Sequence, residues 1–183
     1  RTAGAKRVTP RGRPRATAAV LPHGVSVNAY KQRPFARSLV LVEYLAGLLG
    51  GRYADLLRRL SESTADGGGF LDVLLSFAGR TLPDARLREY DANIRRHEAR
   101  IAGLRPDFRL TYFQWFAAVL VEMTLDAMKS DEAALLRALD DKRKEHAPFL
   151  SPYQPGDLRK LACFMATGSG KTLLLHLNLL QFL

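Results

Sequence analysis

The expected fold depends on Leu161-Ala-Cys-Phe-Met-Ala-Thr-Gly-Ser-Gly-Lys-Thr172, which is followed by a leucine-rich run to Leu183. Gly170-Lys171-Thr172 after a glycine-containing turn is the phosphate-binding half of a P-loop. The apolar residues 161–166 predict a strand before the turn, and the run after Lys171 predicts a helix. Strand, turn and helix in this order are the context that a P-loop requires, so the sequence predicts a nucleotide site here.

The chemistry of a phosphate site gives the residues of the turn distinct roles. Backbone N–H groups surround the phosphates, and glycines let the backbone approach closely. The residues expected to bind ATP in this way are Thr167, Gly168, Ser169, Gly170, Lys171 and Thr172. Lys171 is expected to neutralise the β- and γ-phosphates and Thr172 to bind Mg²⁺, which makes these two the candidate catalytic residues. A Gly-rich turn followed by a solvated lysine is the alternative interpretation, because Met165 replaces the first glycine of the G-x-x-x-x-G-K-[ST] pattern.

Met165-Ala-Thr-Gly-Ser-Gly-Lys-Thr172 resembles motif I of superfamily 2 helicases and translocases. The resemblance is greatest to the DEAD/DEAH-box branch that contains the restriction subunits of type III and type I restriction enzymes, in which Met commonly replaces the first glycine. Phe149-Leu-Ser-Pro-Tyr-Gln154 is also similar to the segment upstream of motif I in these enzymes. A glutamine of that segment binds the adenine edge, so the resemblance implies this role for Gln154. A polar loop residue beside Pro155 is the alternative interpretation.

The resemblance implies two RecA-like lobes that hydrolyse ATP with Mg²⁺ and move along double-stranded DNA. It further implies an Asp-Glu-x-His motif, arginine fingers from the second lobe, and a methyltransferase or specificity subunit of a restriction system as partner. Because the chain ends 12 residues after Lys171, we expect the N-terminal part of such an enzyme, unable to hydrolyse ATP alone. Two alternatives stay open: a helical interaction or DNA-binding module with a non-catalytic P-loop, and another P-loop NTPase such as a kinase.

The whole chain is predicted to be mainly α, in three parts. Residues 1–33 are predicted to be a basic, disordered arm, and residues 34–146 a helical domain. Residues 147–183 are predicted to be the first strand and helix of a truncated P-loop (RecA-like) α/β domain, entered through a linker over 147–160. Apolar spacing together with glycine and proline breaks predicts helices over 34–49, 52–61, 70–78, 83 to about 103, 107–129 and 131–145.

Three groups of side chains carry further expectations. The helix from Pro83 has a near-heptad seam, which predicts a helical hairpin or short coiled coil; the seam residues are Leu87, Tyr90, Ile94, His97, Ile101 and Leu104. The aromatic cluster 112–116 is predicted to be packed core instead of a base-stacking platform. The charged run 140–145 is predicted to be a solvated helix end, and Cys163 a small core residue.

The positive charge is concentrated near the N-terminus. The chain has a formal charge of +10, and residues 1–42 contain nine of its 28 Lys and Arg residues and no acid. Pro10-Arg-Gly-Arg-Pro-Arg15 resembles an AT-hook, so Arg11, Arg13 and Arg15 are candidate ligands of an A·T-rich minor groove. Non-specific attraction of this arm to phosphates, or an inert tail, are the alternatives.

Composition also predicts the compartment. No apolar run is long enough to span a bilayer, and no secretory signal pattern is present. Cys163 is the only cysteine, which excludes an intrachain disulfide framework. The sequence therefore predicts a cytoplasmic protein without a membrane partner.

Overall fold

The computed structural model describes residues 39–51, 53–65, 69–77, 79–164 and 167–182. These residues form six α-helices, one 3₁₀ helix and no strand. The α-helices are α1 (Val40–Leu48), α2 (Tyr53–Ala65), α3 (Phe70–Ser76), α4 (Asp84–Ala102), α5 (Tyr112–His146) and α6 (Lys171–Phe182), and the 3₁₀ helix is Pro155–Arg159. The prediction of a mainly α chain is confirmed. The predicted basic arm 1–33 lies outside the described residues.

The long helix α5 is the centre of the fold, because it contacts α1, α2, α4, α6 and the 3₁₀ helix. Its first half is apolar on most sides, as expected for a helix with several neighbours. The side chains of Trp115, Phe116, Val119 and Met123 are all buried. The prediction of packed core is therefore confirmed for Trp115 and Phe116 of the aromatic cluster, while Tyr112 and Phe113 are half-buried.

The start of α5 differs from the prediction. We expected the helix to begin at Asp107, but Asp107 has a positive φ of 63° and lies in a turn. The helix begins at Tyr112 behind a capping box formed by Thr111 and Gln114. A capping box satisfies two of the backbone N–H groups near the helix start, and it thereby favours a helix that begins directly after Thr111.

A break divides α5 at Asp131, where φ is −159° and ψ is 90°. The Asp131 carboxylate accepts a hydrogen bond of 2.8 Å from the Ala134 N–H, in the manner of an N-cap. The two helices predicted over 107–129 and 131–145 are thus both present, and they meet at this kink. The predicted position of the break is confirmed.

Helix α4 packs against α5 along its predicted seam. Leu87, Tyr90 and Ile94 are buried, and the Tyr90 hydroxyl donates to Asp126 of α5 at 2.6 Å. Burial is the largest cause of a pKa of Tyr90 above its ordinary value, and the hydrogen bond to the Asp126 carboxylate is the second. The prediction for Leu104 is wrong: it lies beyond the end of α4 at Ala102 and is 91% exposed.

The buried side chains form two hydrophobic clusters. The larger cluster joins α1–α4, the first half of α5 and α6. The smaller cluster is centred on Val40, Leu135, Leu139 and Ala147. Residues of the predicted linker pack against this smaller cluster, and they are Phe149, Tyr153 and Leu158.

The charged end of α5 is less solvated than predicted. Arg143 is buried, and it donates to Asp140 at 2.6 Å and to the Leu150 carbonyl at 2.8 Å. A buried guanidinium requires such partners, because an unpaired charge away from water is costly. This side chain therefore ties the end of α5 to the segment that follows it.

The strand predicted over 161–166 is not formed at residues 161–164. A strand needs a hydrogen-bonded neighbour, and the part of the chain that the structure describes contains no other strand. Cys163 is exposed and is not the core residue that we expected. None of the described helices combines the length and the apolar character needed to cross a membrane.

Candidate functional site

The turn before α6 has the backbone geometry of a glycine-dependent loop. Gly168 and Gly170 have φ values of 81° and 86°, in the left-handed region that side chains with a Cβ disfavour. Helix α6 begins directly afterwards at Lys171. Its first bond to the loop runs from the Leu174 N–H to the Gly170 carbonyl at 3.0 Å. The N–H groups of the preceding residues have no acceptor within the helix, and such groups attract anions.

The side chains of the turn are accessible. Thr167, Lys171 and Thr172 are exposed. Lys171 forms no ion pair with any of the described residues, so its charge is available to an anion. The structure thus brings residues 167–172 together in one turn, with both candidate catalytic side chains facing solvent.

A cleft of about 400 Å³ lies between this turn and the connection from α4 to α5. Its lining residues are Arg105, Pro106, Asp107, Phe108, Arg109, Thr111, Gln114, Gly168, Gly170 and Leu173. The cleft therefore combines two glycines of the turn with two arginines and one aspartate. No sequence pattern indicated this side of the cleft, because the helix predicted over 107–129 includes Arg109 and separates it from Arg105.

The connection that carries the two arginines is anchored by Glu98. This side chain is 5% exposed, and it accepts a hydrogen bond from the Leu110 N–H at 2.7 Å. It also forms an ion pair with Arg95 at 2.9 Å. Because a buried carboxylate is tolerated only when it is paired, these contacts fix the end of the connection beside the turn.

Gln114 is the residue of α5 that contacts the turn. Its Nε2 donates to the Ser169 carbonyl at 2.8 Å, and its Oε1 accepts from the Thr111 N–H at 3.1 Å. Gln114 was not among the residues predicted to form the site. The spacing Thr111-x-x-Gln114 is a capping-box pattern and predicts only the second of these bonds.

Gln154 lies apart from the turn and the cleft. Gln154 is exposed at the start of the 3₁₀ helix, where its N–H donates to Asp157 at 2.9 Å. It does not line the cleft. Met165, together with Arg11, Arg13 and Arg15, lies outside the described residues.

Helix α6 is docked on α4 and α5 by one of its faces. Leu174 and Leu177 are buried in the larger cluster, and Gln181 donates to the Ala118 carbonyl and to Glu122, each at 3.0 Å. Other apolar side chains of the helix are more than half exposed, and they are Leu175, Leu179 and Phe182. The helix predicted after Lys171 is confirmed, and it packs on helices.

His97 gives the packing of α4 a predicted pH dependence. Burial lowers its pKa below the ordinary value of 6.5, and Arg100 and Arg96 on its own helix act in the same direction, while Glu122 of α5 opposes them. The folded state then binds fewer protons than the unfolded state below about pH 6.5, so stability decreases as the pH falls through this range. We expect the free energy of unfolding in urea to fall more between about pH 7.5 and pH 5.5 in the native chain than in His97→Gln. An equal fall in both would contradict the assignment.

Comparison of the chain with protein-family models, with curated proteins and with solved structures gives no match.

Proposed function

We propose that residues 167–172 bind ATP with Mg²⁺, and that the chain belongs to an ATP-dependent DNA helicase or translocase of restriction-enzyme type. The observation that best supports the nucleotide site is the backbone conformation of the turn. Gly168 and Gly170 both have positive φ, directly before a helix that begins at Lys171. The motif has glycine at the two positions where this turn needs it, and the turn ends at a helix N-terminus.

Each group of the turn has a role in this proposal. Lys171 is exposed and neutralises the β- and γ-phosphates, while Arg105 and Arg109 raise the positive potential of the adjoining cleft. The Thr172 hydroxyl is one ligand of Mg²⁺. No cluster of three His, Cys, Asp or Glu side chains among the described residues is placed to hold a metal ion. Phosphate oxygens and water would supply further ligands, as is usual for Mg²⁺.

The DNA-dependent part of the proposal rests on the resemblance of residues 165–172 and 149–154 to helicase segments. The same proposal includes the RecA-like α/β architecture and the adenine contact of Gln154. It also includes binding of double-stranded DNA by Arg11, Arg13 and Arg15. The restriction-system partner is also part of it.

A second candidate is a helical interaction or DNA-binding module in which the turn has no catalytic use. Two observations favour it. Leu174 and Leu177 of α6 are buried within a helical core, and no strand occurs in the ranges that the structure describes. In a P-loop domain, the corresponding helix covers a sheet.

Replacing Lys171 with alanine tests the nucleotide site. The native chain is expected to bind a fluorescent ATP analogue in the presence of Mg²⁺. Lys171→Ala should weaken this binding about 10- to 100-fold, because a charged hydrogen bond to phosphate is lost. Lys129→Ala removes an exposed lysine of α5 and serves as the matched control, with affinity unchanged.

Two outcomes would reject the proposal. Absence of ATP binding by the native chain would overturn it, and retained binding to duplex DNA in that case would favour the second candidate. Equal affinities of Lys171→Ala and the native chain would show that any bound nucleotide lies elsewhere.

A further inference from the structure

One buried amide joins the start of α5 to the phosphate-binding turn. Gln114 lies in the first helical turn and is 8% exposed. Its Oε1 accepts the Thr111 N–H at 3.1 Å, which fixes the orientation of the amide. Its Nε2 consequently faces the turn and donates to the Ser169 carbonyl at 2.8 Å. Gln114 thus joins the start of its own helix to a residue that lies 55 positions later in the sequence.

Gly170 makes this close contact possible. A Cβ atom built on Gly170 would lie 2.5 Å from Gln114 Nε2, which is closer than real Cβ contacts. At Gly168, by contrast, a Cβ would meet no atom within 4 Å. The two glycines therefore serve different purposes. Both provide a positive φ, and only Gly170 also makes room for another side chain.

The bond to the Ser169 carbonyl has a consequence for the next N–H group. The carbonyl of Ser169 and the N–H of Gly170 belong to one planar peptide unit, and the described peptide bonds are all trans. In a trans peptide these two groups point in opposite directions. Because Gln114 holds the carbonyl towards α5, the Gly170 N–H points away from α5. Backbone N–H groups at this position of a P-loop are donors to phosphate.

We propose that Gln114 is a positioning residue of the nucleotide site: it orients the Ser169–Gly170 peptide for phosphate binding and couples occupancy of the turn to the start of α5. This inference rests on the proposed function, because it assigns a role in the same site. Gln114 acts through the peptide and does not touch the nucleotide itself. A phosphate that accepts a hydrogen bond from the Gly170 N–H polarises this peptide and strengthens the hydrogen bond from Gln114 to the Ser169 carbonyl. The hydrogen bond from the Thr111 N–H to Gln114 then transmits the change to the start of α5.

Two substitutions separate this role from capping alone. Gln114→Glu keeps an acceptor for the Thr111 N–H, since Glu is a usual capping-box residue, but it replaces the donor to Ser169 with an acceptor. Gln114→Met has a similar length, adds no charge and removes the donor. We expect both variants to bind ATP with Mg²⁺ about tenfold more weakly, the size of effect expected for one lost hydrogen bond. If only Gln114→Glu lowers the affinity for ATP, the cause is repulsion between the new carboxylate and the phosphates, and the inference is overturned.

Amide hydrogen exchange supplies a readout that simple loss of stability does not produce. In the native chain, ATP with Mg²⁺ should slow exchange in residues 168–174 and also in residues 111–118. In both variants, saturating ATP should still slow exchange in residues 168–174, while the effect on 111–118 disappears. Thermal unfolding of each variant without nucleotide serves as the control for folding.

The failures of the two proposals are distinguishable. One set of results overturns only the inference on Gln114. In that set the native chain binds ATP, Lys171→Ala binds it more weakly, and the Gln114 variants match the native chain in affinity and in hydrogen exchange. If the native chain binds no ATP, both proposals are overturned together. Protection of 111–118 by ATP that persists in both Gln114 variants would also reject the coupling.

Discussion

Replacing Trp115 with alanine is expected to destabilise the fold by about 3–5 kcal/mol, the range for truncation of a large buried aromatic side chain. Trp115 is completely buried in α5, and its ring lies 5.5 Å from that of Phe70 between centroids. Its indole N–H donates to Asp91 of α4 at 2.7 Å. The substitution leaves a cavity between three helices and removes the bond to Asp91. Such a loss is a large part of the total stability of an ordinary domain.

The measurement is the free energy of unfolding in urea, followed by circular dichroism. Trp115→Phe is the matched variant, because it keeps an aromatic ring in the core and removes only the N–H donor and part of the volume. We expect it to retain the fold and to lose about 1–3 kcal/mol. A cost below about 1 kcal/mol for Trp115→Ala would contradict the central position of this residue.

Gly170→Ala is expected to show the second-largest effect, a loss of about 2–5 kcal/mol in the free energy of unfolding. The left-handed backbone costs about 1–2 kcal/mol for a residue with a Cβ. In addition, the new methyl group displaces the Gln114 amide from Ser169, and an unsatisfied buried donor costs about 1–3 kcal/mol. The loss appears in global unfolding, because α6 contributes Leu174 and Leu177 to the larger cluster.

Gly168→Ala is the matched control for this prediction. It has nearly the same φ but open space around its Cβ position, so only the backbone cost of about 1–2 kcal/mol is expected. The difference between the two substitutions should vanish when both are repeated in a Gln114→Ala background, since the bond to Ser169 is then already absent. A difference that persists there would assign the cost of Gly170→Ala to another cause.

Local patterns predicted most of the helices, because apolar spacing and glycine or proline breaks act within one or two turns. The kink at Asp131 was predictable in this way, from a polar residue between two apolar periods. The start of α5 was predicted five residues early, because the apolar pattern includes Phe108 while the capping box at Thr111 sets the helix start. The strand over 161–166 was predicted from an apolar run, but residues 161–164 are exposed and have no neighbouring strand among the described residues with which to pair.

The sequence predicted only the part of the candidate site whose residues are adjacent in the chain. The motif identified the turn at 167–172, because its glycines and lysine are adjacent in sequence. Gln114, Arg105 and Arg109 approach the same turn from another segment. Their proximity depends on how α6 docks against α4 and α5, and no short-range pattern encodes that contact. For the same reason, the heptad spacing of Leu104 did not predict that this side chain is exposed and lies outside the core.

The kink at Asp131 also lies close to the boundary between two packing units, the larger and the smaller hydrophobic cluster. The buried residues from Trp115 to Met123 belong to the larger cluster and those at Leu135 and Leu139 to the smaller one, against which Ala127 and Met128 also pack. The second half could therefore open with the 3₁₀ helix while the first half stays folded, as local unfolding does in many proteins. Helix α1 opposes this independence, because Val40 is buried in the smaller cluster and Leu45 in the larger. Through α1, a short helix of nine residues, the two units share part of their stability.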